Sequence, residues 1–267
     1  MRRLGVVGLV SLDRVDGGIP RLGGAPVYAA RTLRLLGHEA VVATKLADED
    51  RPRVAALGVP VAVHAAARTI GFRIENDGER RRMEIDELGE PWSEEEARGW
   101  LTRALADADW LHAGALTQAD FPAETLALLS RGRVLSLDGQ GLVRRAAVGK
   151  LVLAADYDPA VLRHVDVLKL AREELEALGL ELVESSLGSL GVREVVVTLG
   201  RAGAVVYADG LAEHVPTIPL DGVDPTGAGD SWTTAYLAYR RRRHSPVSAA
   251  RLANGAVSAL LGRWPVR

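Results

Sequence analysis

The sequence predicts an α/β fold: a mainly parallel central sheet covered by helices on both faces. Two patterns carry that expectation. Apolar runs of strand length alternate with longer runs of helical period along most of the chain. Several strand-like runs, 4–10 and 194–199 above all, are apolar almost throughout and rich in Val, which suits strands buried on both sides. Size and composition agree. With 267 residues, 48% hydrophobic and 25% charged, the chain reads as one large domain, or one domain with a small appendage, of an ordinary globular protein.

In chain order, residues 4–10 read as a strand, 26–36 as a helix, and 40–44 and 59–63 as apolar strands. A Glu-rich helix at 93–105 precedes a strand at 110–113, a helix at 122–129 and a strand at 134–137. Residues 165–170 are a strand, 173–178 a helix, and 194–199 and 204–207 strands; helices at 228–242 and 247–261 close the chain. One region breaks the alternation. Ile70, Phe72 and Ile74 alternate with Gly71, Arg73 and Glu75, and Met83 and Ile85 with Arg82, Glu84 and Asp86, across a turn at Asn76-Asp77-Gly78. That is a hairpin with one apolar face. It reads either as an edge hairpin packed on its own domain, or as a small lid (about 68–90, with a contribution from 13–24) that covers a substrate or pairs with a second subunit.

Composition excludes several function classes. A net charge of −2 gives no electrostatic argument for nucleic acid, and the absence of Cys excludes disulfides and thiolate metal sites. His38, His64, His112, His164, His214 and His244 are scattered, without the close pairing of a helical zinc motif. No apolar run reaches membrane-spanning length, and Met1-Arg2-Arg3-Leu4 passes straight into a strand-like run, so the expected location is cytoplasmic. Arg240-Arg241-Arg242-Arg243-His244 ends a helix, where cations complement the dipole and stay solvated.

The stretch with most chemistry is Asp224-Pro225-Thr226-Gly227-Ala228-Gly229-Asp230, followed by Ser231 and Trp232. A helical apolar run starts there, so the glycines lie where a loop becomes a helix N-terminus. Free N–H groups and the positive end of the helix dipole point out of that end, and Gly227 and Gly229 let an anion approach the backbone. Asp230 lies in the first turn of this anion site, where its charge opposes a bound phosphate unless it has a proton to collect. An ordinary capped helix, with Asp224 or Thr226 as N-cap, is the plainer alternative.

The run resembles the D-x-T-G-A-G-D signature of ribokinase-like (PfkB) carbohydrate kinases. That resemblance implies a three-layer ribokinase-like fold with a small β lid, and it assigns Asp230 as catalytic base with Gly227, Ala228 and Gly229 beside it. Further motifs follow in the family's order. Asp13 after the first strand, then Gly23, Gly24 and Tyr28, is similar to the family's sugar-contacting elements, which points to Asp13, Gly23 and Gly24 as substrate contacts. Asp138-Gly139-Gln140-Gly141, with Arg144 beyond, reads by itself as a Gly-rich turn; it is similar to a segment of the inositol-kinase-like branch, which makes Asp138, Gln140 and Arg144 substrate candidates. Lys169-Leu170-Ala171-Arg172-Glu173-Glu174 resembles the N-x-x-E motif, with Glu174 acting on Mg²⁺ through water and Ala171 standing where Asn is expected. The resemblance places Lys169, Thr198, Gly200, Gly203, Asp224, Thr226 and Asn254 on the nucleotide side.

Together these motifs imply an ATP-dependent kinase acting on a hydroxyl of a sugar or cyclic polyol such as myo-inositol. ATP and Mg²⁺ are its implied cofactors, a monovalent cation such as K⁺ is a further option, and the chain would be a monomer or a homodimer joined through the lid. A nucleoside kinase and a non-catalytic sugar- or nucleotide-binding protein on the same scaffold are the alternatives. A dinucleotide-dependent oxidoreductase is disfavoured, since Gly5-Val6-Val7-Gly8 lacks the full glycine fingerprint.

Overall fold

The computed structural model describes residues 3–77, 80–220 and 222–262. Fourteen strands form two sheets among the described residues. They are β1 (Arg3–Leu9), β2 (Ser11–Val15), β3 (Arg21–Gly23), β4 (Ala40–Ala47), β5 (Val61–Ala66), β6 (Ile70–Asp77), β7 (Arg80–Glu87), β8 (Ala108–Gly114), β9 (Val134–Asp138), β10 (Gly149–Lys150), β11 (Val167–Ala171), β12 (Glu194–Thr198), β13 (Ala204–Ala208) and β14 (Leu211–Val215). The main sheet runs β14-β13-β12-β11-β9-β8-β1-β4-β5. It is parallel from β12 to β5, and β13 and β14 add an antiparallel edge.

The chain winds outward from β1 through β4 to β5, then returns to β8 on the other side of β1. The switch point between β1 and β8 opens a crevice at the carboxyl ends of the strands, where α/β sheets bind ligands. Gly8 and Gly114 face each other there, and a Cβ on Gly114 would collide with Ala25. These small residues let the helix Ala25–Leu35 sit directly over the strand ends.

Each face of the sheet is buried. Leu4, Val6, Val42, Val167, Val196 and Val206 meet the helices Ala25–Leu35, Ala228–Arg241 and Pro246–Leu261 through Leu33, Trp232, Tyr236, Leu237, Ala250 and Ala253. Val7, Leu111, Leu135, Leu168 and Val195 face a larger core on the other side, closed by Leu101, Leu126, Leu142 and Leu175. The expected 93–105 helix is present but interrupted: Ser93 closes a capping box with Glu96, and residues Ala97–Leu101 widen into a π turn. Strands β2, β3, β10 and β14 escaped the sequence reading, which ended its first strand at residue 10. β3 and β10 are too short to show a period, and β14 is an edge strand whose exposed residues hide one.

The hairpin β6–β7 belongs to a second sheet, ordered β10-β7-β6-β2-β3. Its turn at Gly78 lies outside the described residues. The sheet's inner face carries Ile70, Phe72, Ile74 and Ile85, all buried in the larger core. The outer face is ionic, with Arg73 bound to Glu84 at 3.2 Å and to Asp86 at 2.9 Å.

Lys45 fastens the exit of this sheet to the body. Its side chain is 2% exposed; Nζ donates to Pro91 O at 2.9 Å, lies 2.6 Å from Glu96 Oε1 and sits 4.7 Å from the centre of the Trp92 ring. Burial pushes the Glu96 carboxyl up, but hydrogen bonds from Lys45 and Ser93 outweigh it and hold it below the usual range. Removing one partner of such a pair strands the other charge. Lys45→Met should therefore lower stability by about 3 kcal/mol, read as an earlier urea midpoint, and adding Glu96→Leu should recover part of the loss.

Candidate active site

The helix Ala228–Arg241 begins over the β1–β8 crevice. Gly227 is its N-cap, with φ 76° in the left-handed region, and a Cβ there would fall inside the Tyr28 ring. The loop before it is pre-shaped: Asp224 Oδ1 accepts from the Thr226 N–H at 2.9 Å. Of the three amides expected to face a phosphate, Ala228 N–H is already taken, donating to Pro225 O at 2.9 Å. That donor belongs to the turn. The N–H groups of Gly227, Gly229 and Asp230 have no acceptor among the described residues, so Asp230 supplies the donor that Ala228 does not.

Beneath this loop lies a charged floor. Lys169 Nζ is 3.5 Å from Asp138 Oδ1 and 4.0 Å from Glu174 Oε2, and all three side chains are almost wholly buried. A Cβ on Gly229 would stand 3.2 Å from the ammonium, so the glycine lets the loop settle directly onto Lys169. Glu174 Oε2 also accepts from Ala171 N–H at 2.7 Å, which fixes its carboxylate at the start of the helix Arg172–Ala177. Burial works against the charge on Lys169, but Asp138, Glu174 and Asp230 outweigh it and hold its pKa above the ordinary lysine value.

Asp230 feels the same surroundings in reverse. Burial and then the Asp138 carboxylate raise it, Lys169 and Arg144 pull it down, and the result is a carboxyl pushed up to about 7. This proton affinity suits a group that accepts a proton near neutrality. His112, fully buried on β8, is pushed down to about 4, chiefly by burial, and stays neutral.

The second sheet supplies the other wall. Asp13 on β2 accepts from Ser11 Oγ at 2.7 Å, and its second oxygen occupies the space a Cβ on Gly23 would need. Gly24, with φ 86°, starts the Ala25–Leu35 helix one turn before Tyr28. Tyr28 thus bridges the Asp13 and Asp230 ends, and its hydroxyl is raised by burial first and by those two carboxylates next. Arg144 extends from the body to the inner face of the second sheet, with Nη1 4.0 Å from Met83 Sδ.

On the far side of the Gly227–Gly229 loop, a cavity of about 290 Å³ is lined by Thr198, Gly200, Gly203, Ile218, Trp232 and Val257, among others. Three of the expected site residues are buried here. Asn254 lines this cavity and is held by the fold: Oδ1 accepts from Trp232 Nε1 at 2.7 Å, while Nδ2 donates to Val215 O and Pro216 O. Lys169, expected on the nucleotide side, is instead a buried floor residue. Asp138 is likewise buried; Oδ1 faces Lys169, and Oδ2 has no hydrogen-bond partner among the described residues. Gln140 donates its backbone N–H to Asp138 Oδ1 at 3.3 Å, and its Oε1 is buried without a partner among the described residues.

A family model described as "pfkB family carbohydrate kinase" matches residues 12–263. The chain belongs to that family. A solved pyrophosphate-dependent kinase of the ribokinase family, complexed with a pyrophosphate analogue and myo-inositol, superposes with a TM-score of 0.83 at 28% identity, covering 99% of this chain and 97% of the other. The three-layer ribokinase-like fold expected from sequence is therefore the fold observed. Among curated relatives, inositol 3-kinase of Zea mays is 35% identical over 136 residues, 49% of this chain and 34% of that protein. Fructokinase-1 of Oryza sativa subsp. japonica is 28% identical over 255 residues, 85% of this chain and 76% of that protein. The match to the maize inositol 3-kinase spans about a third of that relative's length.

Sequence reading found the glycine loop and both carboxylate ends. It did not single out Arg21 and Arg81, whose charges act on Asp13 and Asp224. Arg81 falls on the inner face by alternation with Met83 and Ile85, and Arg21 by its register opposite Asp13, which only a sheet built from distant strands sets. A base role for Asp230 requires its ionised form, so on that role kcat/KM should fall as pH drops through about 7. Lys169→Met removes the nearest stabilising cation and should move that acid limb to higher pH. A limb unmoved in the variant would detach the base from the ammonium.

Proposed function

We propose that this chain transfers a phosphoryl group to a hydroxyl of a sugar or cyclic polyol, with Asp230 as general base. One juxtaposition carries the reading: a carboxyl pushed up to about 7 lies in the same helical turn as unpartnered N–H groups that suit an anion. As the hydroxyl attacks phosphorus, Asp230 takes its proton. The N–H groups of Gly227, Gly229 and Asp230 stabilise charge on the transferring group, and Tyr28 and Asp13 orient the acceptor beneath the second sheet. An inositol-like ring is the first acceptor to try, because the inositol-kinase relatives share its chemistry.

ATP is the proposed donor, its base lodged in the cavity beside Trp232. Inorganic pyrophosphate is a second reading of the donor, favoured by the likeness to the pyrophosphate-dependent kinase. Among the described residues no cluster of three His, Cys, Asp or Glu side chains is arranged to hold a metal directly. The floor does fit Mg²⁺ brought in on donor phosphates and kept largely hydrated, since Asp138, Glu174 and Asp230 face one buried ammonium. Glu174 would meet such an ion through water, and the ion would neutralise phosphate charge.

Asp230→Asn should keep donor and acceptor binding by calorimetry while losing about 10²–10⁴-fold in turnover, the usual worth of a positioned base. Near wild-type activity in that variant would assign the base elsewhere. The acceptor class is read from ADP or phosphate release with myo-inositol, fructose, ribose, adenosine and cytidine. Turnover of the nucleosides alone would make this a nucleoside kinase. Silence throughout, alongside measurable ATP binding, would make it a binding protein.

A further inference from the structure

Five buried side-chain atoms without a hydrogen-bond partner among the described residues belong to four residues under and at the start of the helix Ala228–Arg241. They are both ring nitrogens of His112, Ser136 Oγ, Asp138 Oδ2 and Ser231 Oγ. The strand register sets the first three residues side by side. His112 on β8 pairs with Ser136 on β9, and Asp138 on β9 pairs with Lys169 on β11. Leu111, Ala113, Leu135 and Leu137 turn to the larger core, so alternation turns His112, Ser136 and Asp138 to the opposite face, beneath that helix. A Cβ on Gly114 would stand 3.6 Å from His112 Nε2, so this nitrogen lies toward the carboxyl end of β8. Gly114 and Asp138 each lie one residue beyond the pair Ala113–Leu137, which brings the nitrogen to the level of Asp138. Ser231 comes from above, one turn before Ala235 in the core over the same face.

The row is closed off from solvent. His112, Ser136, Asp138 and Ser231 have no exposed surface; Val6 and Val167 flank His112 and Ser136 in register, and Ala25 covers Gly114. A row that ends in a wall delivers no proton to solvent, so its work is to hold groups still. Its members leave one another unsatisfied. A carboxylate oxygen only accepts, a neutral imidazole donates once and accepts once, and each serine hydroxyl donates once. Burial keeps the His112 ring neutral, and the Ser136 backbone beside it completes no hydrogen bond of ordinary geometry. Lys169 Nζ stands 3.5 Å from Asp138 Oδ1 and 4.0 Å from Glu174 Oε2, longer than the roughly 2.7–2.9 Å of a charge-assisted hydrogen bond. Water answers all of these groups, because one molecule accepts from a hydroxyl or ring N–H and donates to a carboxylate. A metal cation in the same place would stand against the Lys169 ammonium, so the neutral occupant is favoured.

Resting on the kinase reading, we infer that His112 and Ser136 hold ordered internal water against Asp138 Oδ2, and that they are positioning residues for Asp230. The water fixes the Asp138 side chain, Asp138 fixes the Lys169 ammonium, and the ammonium lies under Gly229, the residue before Asp230. Neither His112 nor Ser136 reaches the cleft surface.

Diffraction from crystals of the wild-type chain should place water within hydrogen-bond distance of Asp138 Oδ2 and of either Ser136 Oγ or a His112 ring nitrogen. Direct bonds among the three side chains, with no water between them, overturn the inference. Ser136→Ala and His112→Phe should each lower kcat about tenfold, the rate equivalent of one hydrogen bond, with KM for donor and acceptor unchanged. His112→Gln keeps a donor and an acceptor and should recover most of what His112→Phe loses. Ser136→Ala removes a single atom from the interior, so it decides the matter where His112→Phe does not fold. Lower melting temperatures with kcat of the folded fraction unchanged overturn the positioning role. Should the wild type transfer phosphate to no acceptor, the kinase reading and the positioning role fall together, and the diffraction result alone decides the hydrated row.

Discussion

The arrangement of the cleft depends on one buried ammonium. Lys169 reaches Asp138 at the end of one strand and Glu174 at the start of a helix, and it supports Gly229 from below. A cation so enclosed is tolerable only because carboxylates surround it. Three separate segments are thereby held in a fixed relation: the β9 exit, the β11 exit and the Gly227–Gly229 loop. The proton affinity of Asp230 is a by-product of that mutual arrangement and not a property of the loop alone.

At residue 171, where the motif it resembles has Asn, the backbone N–H binds Glu174, and the Lys169 ammonium lies 4.0 Å from the same carboxylate. Tyr28 plays a matching part above. Its ring fills the space that Gly227 leaves open, so the helices Ala25–Leu35 and Ala228–Arg241 meet through one aromatic face.

Much of this was legible in the sequence because it is local. Strand and helix periods gave the central sheet nearly element by element, and the glycine spacing around residue 230 marked a helix N-terminus open to anions. The apolar alternation of Ile70, Phe72 and Ile74 showed a one-sided hairpin. The rest depends on distance. Nothing in the neighbourhood of Lys169 announces that its ammonium points at residues 138 and 174, and nothing near Asn254 shows that its amide is consumed by Trp232 and by the carbonyls of residues 215 and 216. The strand β10 pairs with β7 across more than sixty residues of sequence, a relation that no local period encodes.

That last pairing bears on how the cleft admits its ligands. A flap hung from a single hinge swings wide; this plate is sewn to the body along several seams, because its strands leave and re-enter the main fold before residue 11, after residue 23, before residue 70, after residue 87 and on both sides of residues 149 and 150. Its inner surface is also glued down by Phe72 and Ile74. A wide swing is therefore closed to this sheet, and small rocking against the body is the motion its connections leave open.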